Sequence, residues 1–242
     1  MTLNRKAKKE WRAVSGVLLN DDPRLDANEH VGLLTVIAGA RQVAVFLDIA
    51  EEDREKLIPL LREVRLTPLV AMGPEPVHDW QSPHPPEITS IFRERNPTSA
   101  LWVCRDQEAA RTIAKGVDQI TAGLLLGYPR CCIDAHQQEK AAFEDAVVRG
   151  WIRELGPDPL AIAQAWRQGR KVRIDFESPE RIPRSESEFP FVQHIACEAC
   201  LTPGDTPTAL LNIEYEKLIA EIDPGLHDYL QRLGKRRMQP DE

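Results

Sequence analysis

Four of the five cysteines in this chain fall in two tight groups, and any fold must decide whether those groups meet. Cys131 and Cys132 are adjacent, inside Gly127-Tyr128-Pro129-Arg130-Cys131-Cys132. The others belong to His194-Ile195-Ala196-Cys197-Glu198-Ala199-Cys200, an H-x-x-C-x-x-C run. Thiolate and imidazole are the ligands that zinc and iron–sulfur clusters take. A C-x-x-C spacing turns two sulfurs toward one ion, but one pair cannot close a tetrahedral site. The Cys131–Cys132 pair is the obvious supplier of the rest.

The compartment decides how such cysteines are read. No apolar stretch is long enough to span a bilayer. The longest candidate, Val31 to Ala50, is interrupted by Gly39, Arg41, Gln42 and Asp48. The N-terminal apolar run, Val14 to Leu19, is too short for a signal peptide. The expectation is a cytoplasmic protein with no membrane association, where thiols stay reduced and clustered cysteines bind metal or act in catalysis. A net charge of −7 argues against general nucleic-acid binding, which needs a basic surface. The partner is expected to be a small molecule or a protein.

Patterning predicts three regions. Residues 1–29 hold an N-terminal helix, with Trp11, Val14 and Leu18 at helical spacing, and a connector. Residues 30–126 read as an α/β region. Gln42 to Ile49 is a buried strand, Glu51 to Val64 a helix with Pro59 inside it, and Leu66 to Met72 a second strand. Pro68 marks that strand's start or an edge position. Ser99 to Cys104 is a third strand. This β-α-β order predicts a small, mostly parallel sheet, so the fold class expected is α/β with a helical C-terminal region. Asp106 and Asp118 read as caps of two short helices, and Gly127 as a C-terminal glycine.

Residues 127–242 form the helical cysteine-cluster region. Pro129 is placed as the first residue of a helix to about Leu155. Phe143, Val147 and Trp151 form its apolar stripe. Glu177 to Glu188 reads as a surface loop, and Thr206-Pro207 opens a late helix. Gly73 to Glu87 reads as a Pro-rich loop that leaves His78 and His84 exposed.

In the first turn of a helix, Cys131 and Cys132 feel unpaired N–H groups and the helix dipole, which favour thiolate. Cys132 and His136 share the face of the apolar stripe, while Cys131 points about 100° away. The candidate metal ligands are Cys131, Cys132, Cys197 and Cys200, with His194 either a fifth ligand or a group that orients one of them. The side chains of adjacent cysteines diverge, which suits the spread irons of a [4Fe–4S] cluster better than a single zinc ion. The cofactor expected is therefore an iron–sulfur cluster (4Fe-4S) or zinc. Cys104 is set aside as a core residue and Arg130 as solvated. Two alternatives stand beside the metal reading. One is a cysteine-dependent enzyme with Cys131 or Cys132 as nucleophile and His136 or His194 as base. The other is a non-enzymatic interaction module with structural zinc. No phosphate-loop, dinucleotide or nucleophile-elbow glycine pattern is present.

The run Gly123-Leu124-Leu125-Leu126-Gly127-Tyr128-Pro129-Arg130-Cys131-Cys132-Ile133 resembles the hallmark of a family of uncharacterised prokaryotic proteins with an L-G-Y-P-x-C-C motif. Phe189 to Cys200 resembles that family's downstream His/Cys segment. The resemblance covers about residues 118 to 220. It implies that the two cysteine segments belong to one module and carries no activity with it.

Overall fold

A computed structural model describes residues 2–18, 27–47, 49, 51–72, 84–93, 99–177 and 181–238. The chain opens with helices α1 (Thr2–Leu18) and α2 (Ala27–Ala38). Strand β1 (Val43–Phe46), helix α3 (Glu51–Glu63) and strand β2 (Thr67–Met72) follow. Helix α4 (Pro86–Arg93) precedes strand β3 (Ser99–Cys104). Helices α5 (Gln107–Ala114), α6 (Gln119–Leu125), α7 (Arg130–Leu155) and α8 (Pro159–Arg167) come next. Helix α9 (Arg181–Glu188), a 3-10 turn (Glu198–Leu201), α10 (Pro207–Ile222) and α11 (Pro224–Met238) complete the order.

The sheet corrects the expected fold class. The strand order is β1-β3-β2, and β3 pairs antiparallel with both neighbours. The described protein is mostly helical with a small antiparallel sheet, not an α/β protein with a mostly parallel one. The β-α-β argument took β1 and β2 to be neighbours. They do run in the same direction, since both oppose β3, but β3 lies between them. A later strand inserted between the first two is invisible to a rule about consecutive elements. Pro68 does sit on an edge strand, where its missing N–H costs the ladder least.

The pleat sorts the strand residues into two cores. Ala44 and Phe46 on β1 and Leu101 and Val103 on β3 face one apolar cluster with Trp11, Val14, Leu33, Leu34, Leu57 and Leu61. Val43 on β1 and Ala100, Trp102 and Cys104 on β3 face the other, with Ile113, Val117 and Leu126. Side chains alternate across a strand, so two covered faces make β3 apolar from Ala100 to Cys104. Cys104 belongs to the second core, where burial, and then Asp106, push its thiol up to about 12. The first cluster also takes in Phe191, Tyr215, Ile219, Ile222 and Leu230, so the C-terminal helices pack on the N-terminal ones.

Other expectations shift at the level of elements. Glu177 to Glu188 is not a loop throughout. Residues 178–180 lie outside the described set, and α9 follows with Ser185 and Ser187 buried. The connector after α1 gives way to α2 from Ala27, a helix hidden in the sequence because it is apolar nearly all round. Phe143 and His136 are exposed rather than on a buried stripe; Phe143 packs edge-on against Phe176. His84 is half-buried and bonded through Nε2 to Asp145 at 2.7 Å, while His78 and the rest of 73–83 lie outside the described residues.

Candidate metal centre

The turn between α6 and α7 sets the first pair of cysteines. Asp118 caps α6 by accepting from Thr121 N. At the other end Gly127 takes φ 74°, a left-handed conformation natural to glycine. Its N–H bonds to Leu124 O and the N–H of Tyr128 to Gly123 O, the paired bonds of a Schellman stop. Pro129 is then the N-cap, with φ −59° and ψ 136°, and Arg130 is the first helical residue of α7. Pro129 thus stands one position earlier than expected. Cys131 and Cys132 still fall in the first turn, and Cys132 N–H bonds back to Pro129 O at 3.0 Å.

The second pair sits on a tight turn. Cys197 caps the 3-10 turn, and Cys200 N–H bonds to Cys197 O at 2.9 Å, which brings both sulfurs to one side. Ser185 on α9 accepts from Ala196 N at 2.7 Å and steadies the approach. Thr206 caps α10 and donates its hydroxyl to Cys200 O at 2.9 Å. Pro207 follows at the first turn, and Thr208 is buried beside the sulfurs.

These elements bring Cys131, Cys132, Cys197 and Cys200 together. Their sulfurs all lie within 4.8 Å of one another. Cys200 Sγ is 3.6 Å from Cys131 Sγ and 3.7 Å from Cys132 Sγ. The adjacent cysteines therefore converge, against the expectation that they diverge. Cys132, Cys197 and Cys200 are buried, and Cys131 is exposed. Four cysteine sulfurs in such a group could hold a metal.

His194, the fifth sequence candidate, is not in that group. It is buried, and its Nε2 lies 2.9 Å from Thr208 Oγ1. Thr208 Oγ1 is in turn 3.4 Å from Cys132 Sγ. His194 thus reaches the sulfurs through a hydroxyl. Burial, and then the Arg41 charge, lower its pKa to about 3, so its ring is neutral.

The surroundings suit anionic sulfur. Cys197 N–H donates to Cys132 Sγ at 3.4 Å. The N-terminus of α7 carries Cys131 and Cys132, that of α10 sets Thr208 beside the sulfurs, and such ends favour negative charge. Burial raises the Cys131 thiol to about 11, aided by hydrogen bonds to Cys200 and Cys197. Burial also raises Cys132, although Thr208 and the Cys197 N–H pull the other way. Burial pushes Cys200 up as well, but the Thr208 hydroxyl and N–H, with the Cys131 and Cys132 thiols, outweigh it and bring Cys200 down to about 7. Without metal Cys131 and Cys132 therefore keep their protons near neutrality, and metal binding would expel them.

Sequence reading missed three contributors. Thr208 was within reach, because the Thr206-Pro207 cap puts position 208 in the first turn of α10. Tyr128 stood inside the motif without a role. Its ring lies between His194, 5.0 Å away, and the Arg41 guanidinium, 5.4 Å away. Arg41 gave no signal. It is 3% exposed, donates to the Tyr215 hydroxyl at 2.9 Å and to Gln193 Oε1, and lies over the Tyr215 ring. No carboxylate pairs with it among the described residues. Two aromatic faces and neutral acceptors stabilise the cation instead. Arg130, as expected, is exposed and paired with Asp134 at 2.8 Å.

No family model matches the chain, and neither a curated protein nor a solved structure matches it. Among the described residues no helix is long and apolar enough to cross a membrane.

Proposed function

We propose that this protein binds one zinc ion through Cys131, Cys132, Cys197 and Cys200, and that the ion locks the 189–208 segment onto the start of α7. The observation that carries the reading is the spacing of the sulfurs. Zinc–thiolate bonds of about 2.3 Å put the corners of a tetrahedron about 3.8 Å apart. Cys200 Sγ stands 3.6 and 3.7 Å from the Cys131 and Cys132 sulfurs, which matches that edge, and no separation exceeds 4.8 Å. In a [4Fe–4S] cluster each cysteine binds a different iron at the corner of a cube, so the sulfurs stand further apart. Four thiolates also close the coordination sphere, which is the pattern of structural rather than catalytic zinc.

The chemistry of the neighbours supports the same role. Four thiolates around a divalent ion carry net negative charge, and the N–H of Cys197, the hydroxyl of Thr208 and two helix N-termini oppose it. The cysteine-nucleophile alternative draws less support, since His194 engages Thr208 rather than a sulfur and Cys131 keeps a raised pKa. In the L-G-Y-P-x-C-C run that this chain carries, the same reading gives four residues a task. Gly127 stops one helix, Pro129 opens the next, and the cysteines of its first turn take the metal.

Chelation tests the proposal. A zinc chelator strong enough to strip the ion is expected to lower the melting temperature by ten degrees or more, roughly the cost of a structural zinc site. An unchanged melting temperature with zinc demonstrably removed would contradict the structural role.

A further inference from the structure

A cavity of about 290 Å³ opens beside the sulfur group, between α6, the first turns of α7 and residues 193–195. It lies at the lower end of the range for small-molecule sites, about 300–1,000 Å³. Leu126, Tyr128, Ile133 and Ile195 give it apolar walls. No carboxylate, lysine or arginine lines it. At one edge Gln137 Nε2 donates to Gln119 Oε1 at 3.1 Å. That bond leaves the Gln119 amide nitrogen as a donor and the Gln137 carbonyl oxygen as an acceptor. Neither has a partner among the described residues.

His194 also lines the cavity. Its Nδ1 is buried and has no hydrogen-bond partner. The hydrogen-bond chain fixes which proton it carries, on the reading that the cysteines are metal-bound thiolates. Thiolate sulfur only accepts, so the single Thr208 hydroxyl proton goes to a sulfur, that of Cys132 or Cys200. The hydroxyl oxygen must then accept from His194 Nε2–H. Nδ1 is left with a bare lone pair, an acceptor that is costly to bury unmet.

We propose that this cavity binds a small, neutral, planar heterocycle bearing a lactam edge, an N–H beside a C=O, of the kind found on nucleobases. The apolar walls suit the ring faces. The Gln119–Gln137 pair matches the lactam edge with one donor and one acceptor. The His194 Nδ1 lone pair accepts a second ring N–H. No carboxylate, lysine or arginine on the wall would offset the desolvation of an ionic ligand. The volume admits one or two fused rings and excludes a dinucleotide.

Calorimetry on the zinc-loaded protein tests this, with uracil and hypoxanthine as probes and benzoate and benzylammonium as charged controls. Binding of either lactam at least about tenfold tighter than both controls is expected. Gln137→Leu, which keeps size and helix propensity but removes the acceptor, is expected to weaken lactam binding about tenfold with zinc content unchanged. Gln119→Leu, removing the donor, is expected to do the same. Lactam affinity unaltered in both variants would overturn the proposal, as would tighter binding of a charged control. Zinc is measured on the same samples. A zinc-loaded protein that binds no lactam overturns this pocket and leaves the metal centre standing. Lactam binding by protein that carries no zinc supports the pocket and overturns the metal centre.

Discussion

The sheet and the cysteine segment solve the same problem with different materials. The sheet buries large side chains, among them Trp102, Phe46 and Leu101, on two faces that helices cover. The buried cluster around the sulfurs is Cys132, Ala196, Cys197, Cys200 and Leu201. Apart from Leu201 these are small, and each removes little apolar area from water. The first region has the burial to hold itself. The second has donors, helix ends and sulfur, and on the proposed reading an ion converts them into stability. On the proposed reading, coordination adds to the packing of Phe191 and Val192 in ordering this segment.

The sharpest way to break that contrast is Cys200→Ser. It is expected to abolish metal retention and to deprotect the amides of residues 193–201 in hydrogen exchange, while β3 stays protected. Equal loss of protection in β3 would show that the two regions do not differ as described. The mirror experiment is Trp102→Ala, expected to cost about 3–5 kcal/mol in denaturant unfolding, with metal content per folded chain unchanged.

Thr208→Val sharpens the comparison at the boundary of the metal site. It keeps the shape of the side chain but removes the hydroxyl shared by Cys132 and His194. A loss of about 10- to 100-fold in zinc affinity is expected from chelator competition, with the cysteines still loading at excess zinc. No change in affinity would reduce Thr208 to packing.

The smallest effect concerns a cap common to both regions, because α6 packs on the sheet and leads into the cysteine turn. Asp118→Ala is expected to cost about 1 kcal/mol, the worth of an N-cap. The Asp118 carboxyl is held below the ordinary aspartate range, first by the Thr121 N–H. Its contribution is therefore present above the ordinary aspartate pKa and disappears as pH falls through the lowered value. Wild type and variant should converge in stability in strong acid. A difference that persists there would assign the effect to something other than the carboxylate.

What the sequence revealed follows from how local each feature is. Caps at Asp106, Asp118 and Thr206, the Gly127 stop and the start of α7 are decided within a few residues, and each was read close to its place. The strands were also legible, because Ala100 to Cys104 is apolar at every position. The sheet's direction was not, because the insertion of β3 between β1 and β2 is a long-range event. The convergence of Cys131 and Cys132 was missed for a related reason. Intrahelical geometry turns their side chains apart, and only the placement of Cys200 between them shows that both reach one point. His194 was drawn into the ligand set by its spacing, yet Thr208, eight residues beyond Cys200, takes its Nε2.

Metal and acid-labile sulfide analysis of the purified protein tests the central claim most directly. The account predicts about one zinc ion per chain, no sulfide and no visible absorbance. About four irons and four sulfides per chain, with absorbance from a cluster, would contradict it, as would protein that contains no metal at all.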